Sequence, residues 1–306
     1  MKFPVIKLLA LLACLALPAL AWGNVGTPPA LADLYQEVQQ GLVSTVSGAP
    51  VFVSSNGQGN RLSAEAYGIV EHPFAEGADG LSSPASWCQF VPLNFNVKAC
   101  TWHSQGSQHR LTFYAGRKFY QAPDDAYQLH YQYQLTSQRD DYVQIVLSAE
   151  KGPMGTRDYR IELDAMPAGD STFVRIRSSY RSSFVSRLAT DTYLATLGRD
   201  KVGFSVVGTT QTGEPIYVGG VKGVVERNAM RYYLALMAFL DTSKLSPGER
   251  FEARIRTWFD MSETHALQLH ELELDEYLDA KRKERNNQLK LQQQLNSAGK
   301  VAVRLQ

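Results

Sequence analysis

Charge of one sign is not in excess in this sequence: 31 lysines and arginines stand against 30 aspartates and glutamates, a formal net charge of +1. A nucleic-acid binder usually carries a basic surplus, so the balance speaks against that class. Cysteine is scarce, with three in 306 residues, and no Cys/His cluster supports a metal site. Beyond the N-terminus no apolar run reaches the roughly 20 residues that a membrane-crossing helix needs. Internal repeats and low-complexity tracts are absent. So are the Gly-x-Ser-x-Gly elbow, His-Glu-x-x-His, the P-loop and the dinucleotide fingerprint. The histidines, six in all, are scattered. His265 and His270 fall on different faces of an expected helix, and His103 and His109 merely flank a hairpin turn. These absences nominate no catalytic residue, no metal ligand and no cofactor.

What is present speaks first about compartment. Met1 to Ala21 has Lys2 and Lys7, then the apolar run Leu8–Leu17, then Ala19-Leu20-Ala21. That is the layout of a signal peptide cleaved after small residues at −3 and −1. Residues 1–21 are therefore expected to be removed and the mature chain to work in the periplasm. Leu11-Leu12-Ala13-Cys14 is a loose lipobox, and lipidation of Cys14 stays open. In an oxidising compartment Cys88 and Cys100 are most simply a disulfide. A bridge of that loop size stabilises by about 3 kcal/mol in the chain-entropy model.

Residues 22–60 read as an N-terminal helix and a linker. Leu31, Leu34, Tyr35, Val38 and Leu42 have helical spacing, and Gly48 to Asn60 is a Gly/Ser/Asn-rich connection with Val51-Phe52-Val53 as a short strand inside it. Arg61 to Glu71 alternates as a strand, and His72-Pro73-Phe74 opens a helix. From Lys98 to Arg181 the period is two, interrupted by turn residues such as Ala122-Pro123-Asp124-Asp125 and Pro167-Ala168-Gly169-Asp170. This is the pattern of an antiparallel meander with one apolar face. Phe184 to Leu197 is a helix. Val221 to Leu240 is the strongest helix, with Val225, Ala229, Tyr233, Leu236 and Leu240 in a wide apolar stripe and Lys222, Glu226, Arg227 and Arg231 on the far side. Residues 244–306 are expected to form a C-terminal strand and a helical tail, solvated along most of its length.

A strand, a helix pair, a long meander and a closing amphipathic helix follow one another in the order of a helix-grip fold. On Glu71-His72-Pro73-Phe74, Ser83-Pro84-Ala85-Ser86-Trp87-Cys88, Asn96-Val97-Lys98-Ala99-Cys100, Gly155-Thr156-Arg157-Asp158-Tyr159-Arg160 and the helix from Gly220 to Leu240, the chain resembles the START-like (SRPBCC-type) superfamily between about Arg61 and Thr242. The resemblance implies an α+β domain over 61–243, in which a curved antiparallel sheet wraps a long helix around an apolar cavity. It implies a hydrophobic small molecule, such as a lipid, as partner. The segment Leu197–Gly219 departs from that order.

On this reading the ligand-binding candidates are Leu129, Tyr131, Tyr133, Ile145, Tyr159, Tyr233, Met237 and Leu240, because aromatic and aliphatic walls with a few hydroxyls suit an apolar ligand. The same residues serve equally as filled core. Arg175 and Arg177 share one face of a strand with Arg181. They either pair with Glu162 and Asp164 across the hairpin or hold an anionic head group at the cavity mouth. Two rivals remain. An enzyme would need a buried acid–base pair, for which Glu65, His130, Asp158 and Glu162 are the nominees. An envelope interaction module would have a filled core and a docking tail helix, with transient membrane or protein contact. Deleting residues 262–306 is expected to separate that module from a cavity binder.

Overall fold

The computed structural model describes residues 28–42, 51–196 and 198–304. The expected leader over 1–21, with Cys14, lies outside them. Helix α1 (Pro28–Leu42) precedes a hairpin of β1 (Val51–Gln58) and β2 (Arg61–Val70). Helices α2 (Phe74–Leu81) and α3 (Pro84–Phe90) lead to the meander β3 (Val97–Gln105), β4 (Gln108–Ala115), β5 (Tyr127–Arg139), β6 (Tyr142–Lys151), β7 (Arg157–Ala168) and β8 (Ser171–Arg181). After α4 (Phe184–Ala195) comes a small hairpin, β9 (Val206–Thr209) with β10 (Pro215–Tyr217). The chain ends in α5 (Gly220–Asp241), α6 (Arg250–Glu263), α7 (Ala266–Leu269) and α8 (Leu274–Arg304).

The large sheet has eight strands in the order β1-β2-β8-β7-β6-β5-β4-β3. Consecutive strands pair from β3 to β8, and the last of them returns to lie beside β2. Tight turns make this possible. Gly106 (φ 58°) and Gly169 (φ 66°) sit at hairpin corners in the left-handed region, which a residue without Cβ enters at no steric cost. Register shifts at Leu135/Ser137, Val97/Ala99 and Arg157/Arg160 are bulges, which bend the strands that carry them.

One face of the sheet grips α5. Ala64, Ala66 and Val70 of β2, Leu129, Tyr131 and Tyr133 of β5, Ile145 of β6, Leu163 of β7 and Ile176 of β8 form one core with Tyr233, Leu236 and Leu240 of α5. The opposite face is covered near β2 and β8 by α1, where Leu31 and Val38 pack on Tyr67, Tyr142 and Phe173. A curved antiparallel sheet holding one long helix makes this a START-like helix-grip α+β fold. Cys88 and Cys100 are bonded to each other and tie α3 to β3.

Three expectations are corrected. First, residues 244–304 contain no strand; α6 begins at Arg250 instead. Second, the far side of α5 is largely enclosed, and of its four named residues Lys222 alone is exposed. Glu226, Arg227 and Arg231 are all at most 3% exposed, because residues 198–219 and α7 pack over that side and supply acceptors and donors to it. Glu226 alone accepts from Ser55 Oγ (2.6 Å), Ser205 Oγ (2.7 Å), Ser205 N (2.9 Å) and Phe204 N (2.7 Å). Third, the tail is part of the body. Tyr277, Lys281, Glu284 and Gln288 are buried along α8, where a Gln-rich, charged composition predicts a solvated helix.

The tail is held by polar groups that match the edge of β3. Gln288 accepts from the Cys100 amide and donates to the Cys88 carbonyl, both at 2.9 Å. One turn on, Gln292 makes both bonds to the backbone of Trp102, again at 2.9 Å. Side-chain amides carry the same donor and acceptor pair as a peptide group, so two glutamines four residues apart complete an edge strand. Below them Glu284 binds Lys98 and Lys281, each at 2.8 Å.

Candidate ligand-binding interior

The space between the sheet and α5 is the candidate site. Alternation places the odd-numbered residues of β5 inward, and Leu129, Tyr131 and Tyr133 are each at most 7% exposed. Ile145, Tyr233 and Leu240 join the same core, with Tyr159 and Met237 packed against it at partial burial. The structure thus brings these eight expected residues together.

Arg175 and Arg177 are not with them. Val174 and Ile176 point into the core, so the alternate residues of β8 point to the outer face, beside Phe173. There Arg175 is sealed beneath α1 and binds Asp164 through Nε (3.1 Å) and Nη2 (2.7 Å). Burial would lower its pKa, but the Asp164 carboxylate outweighs burial and the net shift is upward. Asp164 also accepts from Tyr142 Oη (2.6 Å) and Gln144 Nε2 (2.9 Å). Arg177 reaches Glu162 at 4.0 Å. Neither arginine faces the interior, so a head-group role there is ruled out by the strand's own period.

The enzyme nominees fall outside too. Glu65 and Glu162 lie on the outer face opposite arginines. His130 meets Thr112 Oγ1 at 3.1 Å on an exposed surface, and Asp158 pairs with Arg181 at 3.2 Å.

Inside, the tyrosines divide into two sets. Tyr133 Oη donates to the Ser82 carbonyl (2.7 Å) and Tyr233 Oη to that of Ile69 (3.4 Å). These hydroxyls are structural. Tyr131, Tyr159, Tyr180 and Tyr232 gather at one end. The Tyr159 and Tyr180 rings stack at 5.2 Å, and Tyr159 Oη meets Thr156 Oγ1 at 2.8 Å. The Tyr131 pKa is pushed well above the ordinary value, first by burial and then by the nearby Tyr232 and Tyr159 hydroxyls. Burial, then the Tyr159 neighbour, pushes Tyr232 and Tyr180 up to about 12. Among the described residues the hydroxyls of Tyr131, Tyr180 and Tyr232 have no protein hydrogen-bond partner. Tyr232 and Tyr180 were absent from the expected set. Their signal was in the sequence, as members of the apolar stripe of α5 and of the inward series Val174, Ile176, Ser178, Tyr180.

This end lies under an apolar rim. The turn Pro153–Gly155 adjoins Tyr159, and its Met154, held at φ 54°, is 53% exposed. Helix α4 packs on that turn and on α5, and its Phe184, Val185 and Leu188 are exposed. Ser183 caps α4 through the Ser186 amide and also donates to the Met154 carbonyl, which couples helix and turn.

No protein-family model matches the chain, and no curated protein matches it. Solved structures with a similar fold do. The chain is similar to a protein of Thermus thermophilus at 11% identity, over 60% of this chain and 99% of that one, with a TM-score of 0.37. It is similar to norcoclaurine synthase from Thalictrum flavum at 12% identity, over 47% and 87%, TM-score 0.33. It is also similar to a START superfamily protein from Mycobacterium smegmatis at 17% identity, over 46% and 93%, TM-score 0.30. The fold is START-like. That statement rests on the strand order and the gripped helix.

Proposed function

We propose that this protein binds a hydrophobic small molecule of lipid-like character between the sheet and α5, and that it does so in the periplasm after removal of residues 1–21. One observation supports the reading: Tyr131, Tyr180 and Tyr232 gather around Tyr159 at one end of the sheet–α5 core, and their hydroxyls have no acceptor among the described residues. A ligand that brings an acceptor to this end takes hydrogen bonds from these hydroxyls, while its apolar body gains about 25 cal/mol per Å² removed from water. Entry and exit run past the rim of Met154 and Phe184. The mechanism is sequestration, with orientation set by the tyrosines.

Native mass spectrometry of the full chain, prepared gently from periplasm and then extracted with organic solvent, tests this. A reproducible mass surplus that extracts as an apolar molecule is the expected result. A bare mass, unchanged after exposure to envelope lipids, overturns the reading, and failure to recover the chain from periplasm overturns its location.

A further inference from the structure

A separate pocket lies between α3, the β3 edge, α6 and α8, away from the sheet–α5 interior. Its volume is about 350 Å³, within the range of small-ligand pockets. The bonded Cys88 and Cys100 line it, together with the apolar Trp102, Phe251 and Leu289. Three guanidiniums, Arg250 and Arg254 from α6 and Arg285 from α8, line the same space. Among the lining residues the one carboxylate is Glu284, and it is already engaged by both Lys98 and Lys281.

None of the three arginines has an ion pair among the described residues. Arg254, 4% exposed, is held by neutral acceptors alone: Thr242 Oγ1 at 3.0 Å and Gln89 Oε1 at 3.2 Å. Arg250 donates to the Leu245 carbonyl, and Arg285 lies over the Phe251 ring at 5.7 Å. The same two helices do form an ion pair where they face water, since Arg282 binds Glu252 at 2.9 Å on their outer side. A buried charge without a counter-charge is costly; Arg254 is one, and the half-buried Arg250 and Arg285 add two more charges of the same sign to the same space. Burial, then the charges of Arg250 and Arg285, lowers the Arg254 pKa to about 10.

We propose that this enclosure is a binding site for a small amphipathic carboxylate, whose anionic head sits between Arg250, Arg254 and Arg285 and whose apolar body lies along Trp102, Phe251 and Leu289. Guanidiniums take a carboxylate through paired N–H donors. By bridging α6 to α8 such a ligand also locks the tail onto the body. The site is independent of the sheet–helix interior and does not rest on ligand binding there.

Isothermal titration of octanoate into the full chain is the test, with acetate and octanol as probes of head and body alone. The expected result is saturable octanoate binding, at least tenfold tighter than either control. The double variant Arg250→Gln/Arg285→Gln should weaken it at least tenfold. Leu289→Asp, at an exposed rim position, gives a second variant that places a competing carboxylate beside the arginines and should weaken binding as well. Octanol binding as tightly as octanoate overturns the site. So does octanoate affinity that stays unchanged in both the folded double-arginine variant and the folded Leu289→Asp variant, which would place the probe elsewhere.

Discussion

Glu284 stands between two buried ammonium groups, and the accounting of donors around it is complete. Lys98 gives its three protons to Glu284, the Phe95 carbonyl (2.7 Å) and the Phe119 carbonyl (2.9 Å). Lys281 gives its own to Glu284, Asn94 O (2.8 Å) and Val97 O (3.3 Å). Replacing the shared carboxylate leaves two cations buried without a counter-charge, so Glu284→Gln should cost about 3–5 kcal/mol in urea unfolding. Lys98→Met leaves Lys281 and Glu284 as a neutral pair and should cost less, on the order of 1–3 kcal/mol for the orphaned acceptors. The two variants therefore differ in a direction that a count of salt bridges would miss. Burial, and then the Lys281 charge, hold the Lys98 pKa down at about 8 against an ordinary 10.5. Between those values the unfolded chain binds more protons than the folded one, so this group's contribution to stability rises with pH across that window. Urea midpoints at about pH 7 and about pH 9.5 should show the wild type gaining on Lys98→Met as pH rises; an unchanged gap would refute the depressed pKa.

Helix α8 works at the scale of an element, as a cover for an edge strand. Gln288→Leu/Gln292→Leu removes the side-chain amides that complete β3 and strands the Cys100 and Trp102 amides. The expected loss is about 1–3 kcal/mol per stranded group, and light scattering should report concentration-dependent association through the uncovered edge. Deleting residues 262–306 does more than remove an arm. It takes away Tyr277, whose ring packs between Phe95 (5.3 Å) and Trp258 (5.1 Å) with no exposure. The truncated chain should be insoluble or lack the near-UV circular dichroism of a packed core. Retention of a folded, soluble body would show that the tail is a separable arm. Much of the fold was legible at this scale: the strand periods, the helix pair after His72-Pro73 and the length of α5 all follow from local pattern. The docking of α8 was not, because Gln288 and Gln292 read as polar surface until an edge strand is set opposite them.

At the scale of the molecule, the hydroxyls of Tyr131 and Tyr232 place stability and binding in opposition. Removing them takes away hydroxyls that no described protein group engages and changes volume little. Tyr131→Phe/Tyr232→Phe should therefore leave the ligand-free protein as stable or up to about 1 kcal/mol more so, while the mass surplus retained through purification falls at least fivefold. Thermal unfolding of stripped protein beside native mass spectrometry reads both quantities. Loss of stability without loss of ligand would assign the tyrosines to packing alone. Here sequence pattern reached eight residues that share the sheet–α5 core, while the two arginines lie on the other face. Arg175 and Arg177 were placed on the right strand face relative to each other, yet which face looks inward depends on what lies against each side of β8.

Period, turn chemistry and length are local properties, and from them the sequence alone determined an α+β chain with a meander, a strong closing helix and a tyrosine-lined stripe. Burial is not local. The polar side of α5, composed as a solvated face, is largely enclosed because residues 198–219 bring hydroxyls and amides to Glu226, and α7 and the residues beyond it bring Glu271 to Arg231 at 2.7 Å. The same holds for Arg175 under α1 and for the unpaired arginines between α6 and α8. Whether a charge is solvated, paired or left waiting for a partner is set by groups far away along the chain, so only the tertiary structure decided it.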